Sequence, residues 1–149
     1  MNEVEIIPYR YKYREQLLNV WEKSVLATHH FLSPADFEAI KLLVKTIDFN
    51  ELNVFCLLRE EEVLGFIGIS GRKIEMLFIS PEYFGQGLGW KLMNFAIKEQ
   101  KADKVDVNEQ NSQAVAFYQK CGFEVVERTE KDDQGMNYPI LRMKLRESL

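Results

Sequence analysis

The stretch SPEYFGQGLGWKLM, residues 80–93, decides how the chain is read. Three glycines stand at alternate positions, Gly85, Gly87 and Gly89, directly after an apolar run and directly before residues with helical spacing. A helix N-terminus carries unpaired N–H groups and the positive end of the helix dipole, so it attracts anions. Glycines before and within the first turn leave room for a phosphate against those groups. Two phosphate-binding patterns fail on this string. A P-loop needs G-x-x-x-x-G-K-[ST], which occurs nowhere in the chain. A dinucleotide fingerprint needs a small residue where Trp90 stands.

Working outward, NVFCLLRE (53–60), EVLGFIGIS (62–70) and KIEMLFIS (73–80) are short apolar runs separated by charged turns. They predict an antiparallel meander leading into the glycines. Beyond them, Leu88, Leu92, Phe95 and Ala96 form one face of a helix over 88–100. KVDVNE (104–109) predicts a strand, and 111–121 a helix with Asn111 as N-cap and Gly122 as its stop. FEVVERTE and NYPILRMKL predict a closing strand pair around the polar stretch Lys131–Gly135. At the other end, VEII (4–7) is a short strand stopped by Pro8. Leu17, Val20, Trp21, Ser24 and Val25 mark a helix over 12–27. Ser33 and Pro34 then open a second helix that runs to about Ile47, with Phe37, Ile40, Leu43 and Val44 on its apolar face. The order β-α-α-β-β-β-α-β-α-β-β describes an α/β chain, a central mixed sheet with helices on both faces.

No repeat, linker or low-complexity tract divides the 149 residues, so one domain over 1–149 is expected. The chain is 46 % hydrophobic and 28 % charged, the balance of an ordinary globular protein. A net charge of −4 argues against nucleic-acid binding, which depends on Lys and Arg neutralising phosphates. There is neither a charged-then-apolar leader nor an apolar run long enough to span a bilayer, so a cytoplasmic protein without membrane contact is expected. Cys56 and Cys121 stand in no metal-ligand spacing; no metal is expected, and both read as reduced, partly buried thiols.

The string LFISPEYFGQGLGWKLM (77–93) resembles the signature of the GNAT superfamily, the acetyl-CoA-dependent N-acetyltransferases: an apolar strand, a Pro-containing turn, [QR]-x-x-G-x-[GA], then a helix. NEQNSQAVAFYQKCGFEV (108–125) is similar to the N-x-x-A-x-x-F-Y-x-x-x-G-F segment of the same family. The resemblance covers residues 53–145 well and the N-terminal third through the count of elements alone. One position departs from it: Phe84 stands where the family has Gln or Arg, which removes a side-chain contribution to cofactor binding but keeps the backbone N–H.

The resemblance implies a GNAT-like fold, acetyl-CoA as cosubstrate and an amine acceptor, on a small molecule or a peptide, attacked directly. It implies that backbone groups of Leu77, Phe78 and Ile79 pair with the pantetheine arm and polarise the thioester. It places the pyrophosphate against Phe84, Gly85, Gln86, Gly87, Leu88, Gly89 and Trp90, with Asn111 and Phe117 beside the arm. Tyr118 becomes the general acid for the leaving thiolate, since a phenol with a pKa of about 10 suits a thiol of about 8.5. An ammonium acceptor must first lose a proton, and Glu75, Glu109, His29 and His30 are candidates to take it. Adjacent His29 and His30 cannot both face one site. Tyr83 and Tyr138 are candidate rim residues of the acceptor pocket; Trp21, Phe31 and Leu32 are expected to pack the N-terminal helices on the sheet. Cys121 has no activating neighbour and is not a nucleophile. A catalytically silent acyl-CoA-binding module is the alternative. Dimers are common in the family the chain resembles, and a monomer or homodimer is expected.

Overall fold

The meander expected over residues 53–80 forms in the computed structural model, which describes residues 3–146. The elements are β1 (Glu5–Pro8), α1 (Arg14–Thr28), α2 (Pro34–Lys45), β2 (Asn53–Arg59), β3 (Glu62–Ser70), β4 (Lys73–Ile79), α3 (Leu88–Gln100), β5 (Lys104–Asn108), α4 (Ser112–Lys120), β6 (Phe123–Thr129) and β7 (Ile140–Leu145). The strands make one seven-stranded mixed sheet in the order β1-β2-β3-β4-β5-β7-β6. All its neighbours are antiparallel except β4 and β5.

Side chains alternate between two cores, because successive residues of a strand point to opposite faces. Leu57 and Ile67 pack with Leu92, Met93 and Phe123 on the α3 and α4 side. Cys56 and Phe66 pack with Leu17, Trp21 and Val25 on the α1 side. Helices therefore cover both faces of the sheet, as the element order predicts. Ser33 caps α2, its Oγ accepting from the Asp36 N–H at 3.1 Å, and Asn111 caps α4, its side-chain oxygen accepting from the Ala114 N–H at 3.2 Å.

Several strands end one residue short of the sequence reading, and four other boundaries differ for local reasons. Pro8 is the last residue of β1 rather than the residue after it: it sits opposite Phe55 on the outer edge, where a missing N–H costs no ladder bond. Residues 11–13 form a single 3-10 turn, so α1 begins at Arg14. The second helix ends at Lys45, Thr46 turning its hydroxyl back onto the Leu43 carbonyl at 2.6 Å. The last strand begins at Ile140 because Pro139 has no N–H for the ladder; its carbonyl accepts from Glu109 instead.

β4 carries one residue more than β3 across it. Gly68 faces Met76 and Ile69 faces Ile74, so Glu75 is the extra residue of a bulge. The bulge resets the alternation and puts Ile74, Leu77 and Ile79 into one core. Gly65 faces Ile79 across the same pair, and a Cβ there meets the Phe78 carbonyl oxygen at 2.8 Å and the Ile79 Cδ1 at 2.5 Å. Gly65→Ala is therefore expected to force β3 and β4 apart and to destabilise the protein by about 1–3 kcal/mol, read as a lowered urea midpoint.

Candidate active site

β4 and β5 are paired only at Lys73–Lys104 and Ile74–Val105. Beyond that point they diverge, and a cavity of about 520 Å³ opens between them. Residues 74–79 line one wall, 105–108 the other, and Asn111, Ala114, Phe117 and Tyr118 of α4 close it. The end of α1 reaches the same cavity with Ser24, Thr28 and His29.

The glycines at its mouth are of two kinds. Gly85 and Gly87 are left-handed, with φ of +79° and +77°, and a Cβ on either meets nothing within 4 Å. They are glycines because of the turn, and the space over them is open. A Cβ on Gly89 instead lies 3.5 Å from the Phe117 ring. The first helical hydrogen bond of α3 runs from the Lys91 N–H to the Gly87 carbonyl at 3.0 Å, so the N–H groups of Leu88, Gly89 and Trp90 have no helical acceptor. No acidic residue stands in that first turn. Gly85, Gly87, Leu88, Gly89 and Trp90 border the cavity together with Phe84, while Gln86 does not. Phe84 and Trp90 are exposed aromatics that border the cavity.

Tyr118 is 8 % exposed and lies edge-on to Phe117 and Phe123 at 5.5 and 6.1 Å. Its hydroxyl bonds to no described residue, and burial, helped by the neighbouring Cys121 thiol, pushes its pKa well above the usual 10. The phenol is thus a weaker acid than its free value suggests. Leu77, Phe78, Ile79, Asn111 and Phe117 also border the cavity.

The proton-accepting candidates separate. Glu75, the bulge residue, borders the cavity but is exposed, its carboxylate 3.9 Å from Lys73. His29 lines the cavity; burial, and secondarily His30, push its pKa down to about 4, so the ring is neutral at pH 7. His30 is exposed and off the cavity. Glu109 is also outside it, held below the usual carboxylate range by an ion pair with Arg128 at 2.5 Å. The Asp106 carboxylate on β5 is compensated by Lys73 and Arg142, each at 2.5 Å.

Tyr83 borders the cavity, its hydroxyl donating to Glu62 at 2.8 Å. Tyr138 does not; its hydroxyl donates to the Asp36 carboxylate at the start of α2. Phe31 lies between His29 and Tyr138, at 5.2 and 6.0 Å, while Trp21 stacks on Phe37 at 5.8 Å as a core contact. Cys56 and Cys121 are buried free thiols whose pKa values burial pushes up to about 12 and about 11. Sequence reasoning assigned no role to Ser24, Thr28 or Asn108. Ser24 did leave a trace, a polar residue 5 % exposed within the apolar stripe of α1.

A gap between two parting strands, with a helix N-terminus at its mouth, is an arrangement for an extended ligand that ends in phosphate. Residues 19–146 match the family model described as an acetyltransferase (GNAT) domain, and the chain belongs to that family of N-acetyltransferases. Among particular relatives, it is 38 % identical over 134 residues to the peptidyl-lysine N-acetyltransferase YjaB of Salmonella typhimurium, covering 90 % of this chain and 92 % of the relative. It is likewise 38 % identical over 135 residues to YjaB of Escherichia coli, covering 90 % and 91 %. The solution structure of apo YjaB from E. coli superposes with a TM-score of 0.88 at 35 % identity, over 98 % of this chain and 99 % of that one. The PaiA N-acetyltransferase of Thermoplasma acidophilum in complex with coenzyme A shares the fold, with a TM-score of 0.70 at 23 % identity over 95 % and 99 %.

Burial of His29 gives a pH prediction. Its folded pKa of about 4 lies below the ordinary 6.5, so its contribution to stability is full above pH 6.5 and is lost as pH falls towards 4. The loss amounts to about 3 kcal/mol at most. Urea unfolding at about pH 7.5 and about pH 4.5 should show a smaller drop for His29→Gln than for the native protein.

Proposed function

We propose that this chain transfers the acetyl group of acetyl-CoA to the side-chain amine of a lysine in a peptide or protein, by direct attack of the amine on the thioester. The observation that carries this reading is the cavity between β4 and β5, with the unpaired N–H groups of α3 at its mouth and Tyr118 in its wall. The lysine acceptor follows the two YjaB relatives, which are named peptidyl-lysine N-acetyltransferases.

The residues present fit the cosubstrate. A Cβ over Gly85 or Gly87 meets nothing within 4 Å, and this open space beside the N–H groups of Leu88, Gly89 and Trp90 is where a pyrophosphate would lie. Gln86 and Phe84 contribute their backbone to the same turn. Residues 76–79 have lost their β5 partner, so alternate backbone groups of Leu77, Phe78 and Ile79 are free to pair with an extended arm. An N–H of this strand directed at the thioester oxygen stabilises the developing oxyanion, a contribution of about 3–4 kcal/mol where one such donor is removed from other enzymes. Asn111 retains its side-chain NH2 for the arm, since its oxygen is used in the helix cap.

Tyr118 serves the leaving sulfur. Burial keeps the phenol protonated across the neutral range, and its hydroxyl has no competing partner among the described residues. It donates a hydrogen bond that strengthens as charge builds on sulfur, and the proton follows the thiolate. Of the titratable groups bordering the cavity, Asp106 is held between Lys73 and Arg142, which leaves Glu75 and His29 to take the proton of the amine. The whole chain, residues 1–149, acts as one cytoplasmic catalytic domain in this reading; no described helix is long and apolar enough to cross a membrane.

The test is thiol release from acetyl-CoA with a lysine-containing peptide, paired with calorimetric titration of acetyl-CoA. Tyr118→Phe is expected to lower kcat by about 10²-fold with nearly unchanged acetyl-CoA affinity. Tight acetyl-CoA binding with no turnover on any amine identifies a sensing module instead, and absence of binding removes the reading altogether.

A further inference from the structure

We infer that Thr28 is a positioning residue whose hydroxyl fixes the His29 imidazole as its Nδ1–H tautomer, leaving Nε2 as the acceptor for the proton of the attacking amine. The inference rests on the acetyl-transfer reading, because the proton concerned is that of the acceptor.

A threonine hydroxyl has one hydrogen to give. Thr28 Oγ1 lies 2.8 Å from the Ser24 carbonyl, four residues back in α1, and a carbonyl can only accept. That hydrogen is therefore committed. The same oxygen lies 2.7 Å from His29 Nδ1, and with its hydrogen spent it accepts there. Nδ1 must then carry the ring's single N–H, and Nε2 holds a lone pair. Nε2 bonds to no described residue. The His29 backbone is fixed as well, its N–H closing the helix onto the Val25 carbonyl at 2.8 Å. Phe31 packs against the ring at 5.2 Å, and Ser24, Thr28 and His29 all border the cavity that contains Tyr118.

The step balances without a further reactant. The neutral amine attacks the thioester carbon, the C–N bond forms, and the proton shed by nitrogen passes to Nε2. The C–S bond breaks, the departing sulfur takes the Tyr118 proton, and the phenolate regains a proton from water. The imidazolium keeps Nδ1–H on Thr28 and returns its new proton to water. Burial, which disfavours a charged ring, makes His29 a relay that hands the proton on rather than storing it.

The experiment is ¹⁵N NMR of the ring nitrogens near neutral pH, together with steady-state kinetics on a lysine peptide. The native protein is expected to show a pyrrole-type Nδ1 and a pyridine-type Nε2 for His29. Thr28→Val should lose that pattern and lower kcat by about tenfold, within the range of a misplaced acid–base group, with the KM for acetyl-CoA little changed. Thr28→Ser, which keeps the hydroxyl, should restore the tautomer and most of the lost rate. His29→Gln should lower kcat by about 10²-fold. A pyridine-type Nδ1 in the native protein overturns the tautomer. A correct tautomer with full activity in His29→Gln overturns the role of the ring while leaving acetyl transfer intact, and a large loss in Glu75→Gln alone then moves the proton to the bulge residue.

Discussion

The structure depends on a pairing that stops. β4 and β5 share two residue pairs and then part, in a sheet whose other neighbours remain together over four or more. Backbone N–H and C=O groups are obligatory hydrogen-bonding groups, so two strand edges facing an empty gap represent unspent pairing capacity. The bulge at Glu75 stands where the strands separate, and an extra residue that bends its strand is a sufficient local cause. Both walls are firm. β4 is held by β3 along its length and β5 by β7 over all its residues, so the gap is a rigid feature of the sheet.

The helices around the gap do different work. α3 brings a dipole and three uncommitted N–H groups to the mouth, on a turn that only left-handed residues can make. α4 places Tyr118 within the wall, seated against Phe117 and Phe123, with its phenol buried. α1 ends at the cavity from the other face of the sheet, and its last turn carries the polar set Ser24, Thr28 and His29. Groups able to serve the sulfur and the nitrogen of an acyl transfer thus come from opposite sides of one sheet.

Much of this was legible in the sequence because it is written in local terms. Apolar periodicity marked the strands and helices, Ser33 and Asn111 announced their caps, and Gly85 and Gly87 marked the turn. What escaped notice is tertiary. Nothing in KIEMLFIS signals that Glu75 is an extra residue, because a bulge is defined by the partner strand. Nothing in NYPILRMKL signals that this strand inserts between β5 and β6. The sequence suggests bare backbone for a close approach at these glycines, whereas the structure shows that Gly85 and Gly87 are required by their positive φ. His29 and His30 were indistinguishable until the helix end was fixed, when one ring met the cavity and the other met solvent. The sense of the hydrogen bonds through Thr28 is visible only with all three partners in place.

The two outer borders of the sheet complete the picture. β1 has four residues and ends in Pro8, which cannot donate. β6 is longer, but Val126 is an unmatched residue in its pairing with β7, and Glu124, Glu127 and Arg128 crowd the same run with charge. Neither rim is a good template for a foreign chain. The molecule thus discourages lateral recruitment at its periphery, while its internal pair of unpaired strand edges lies at the centre, flanked by helices.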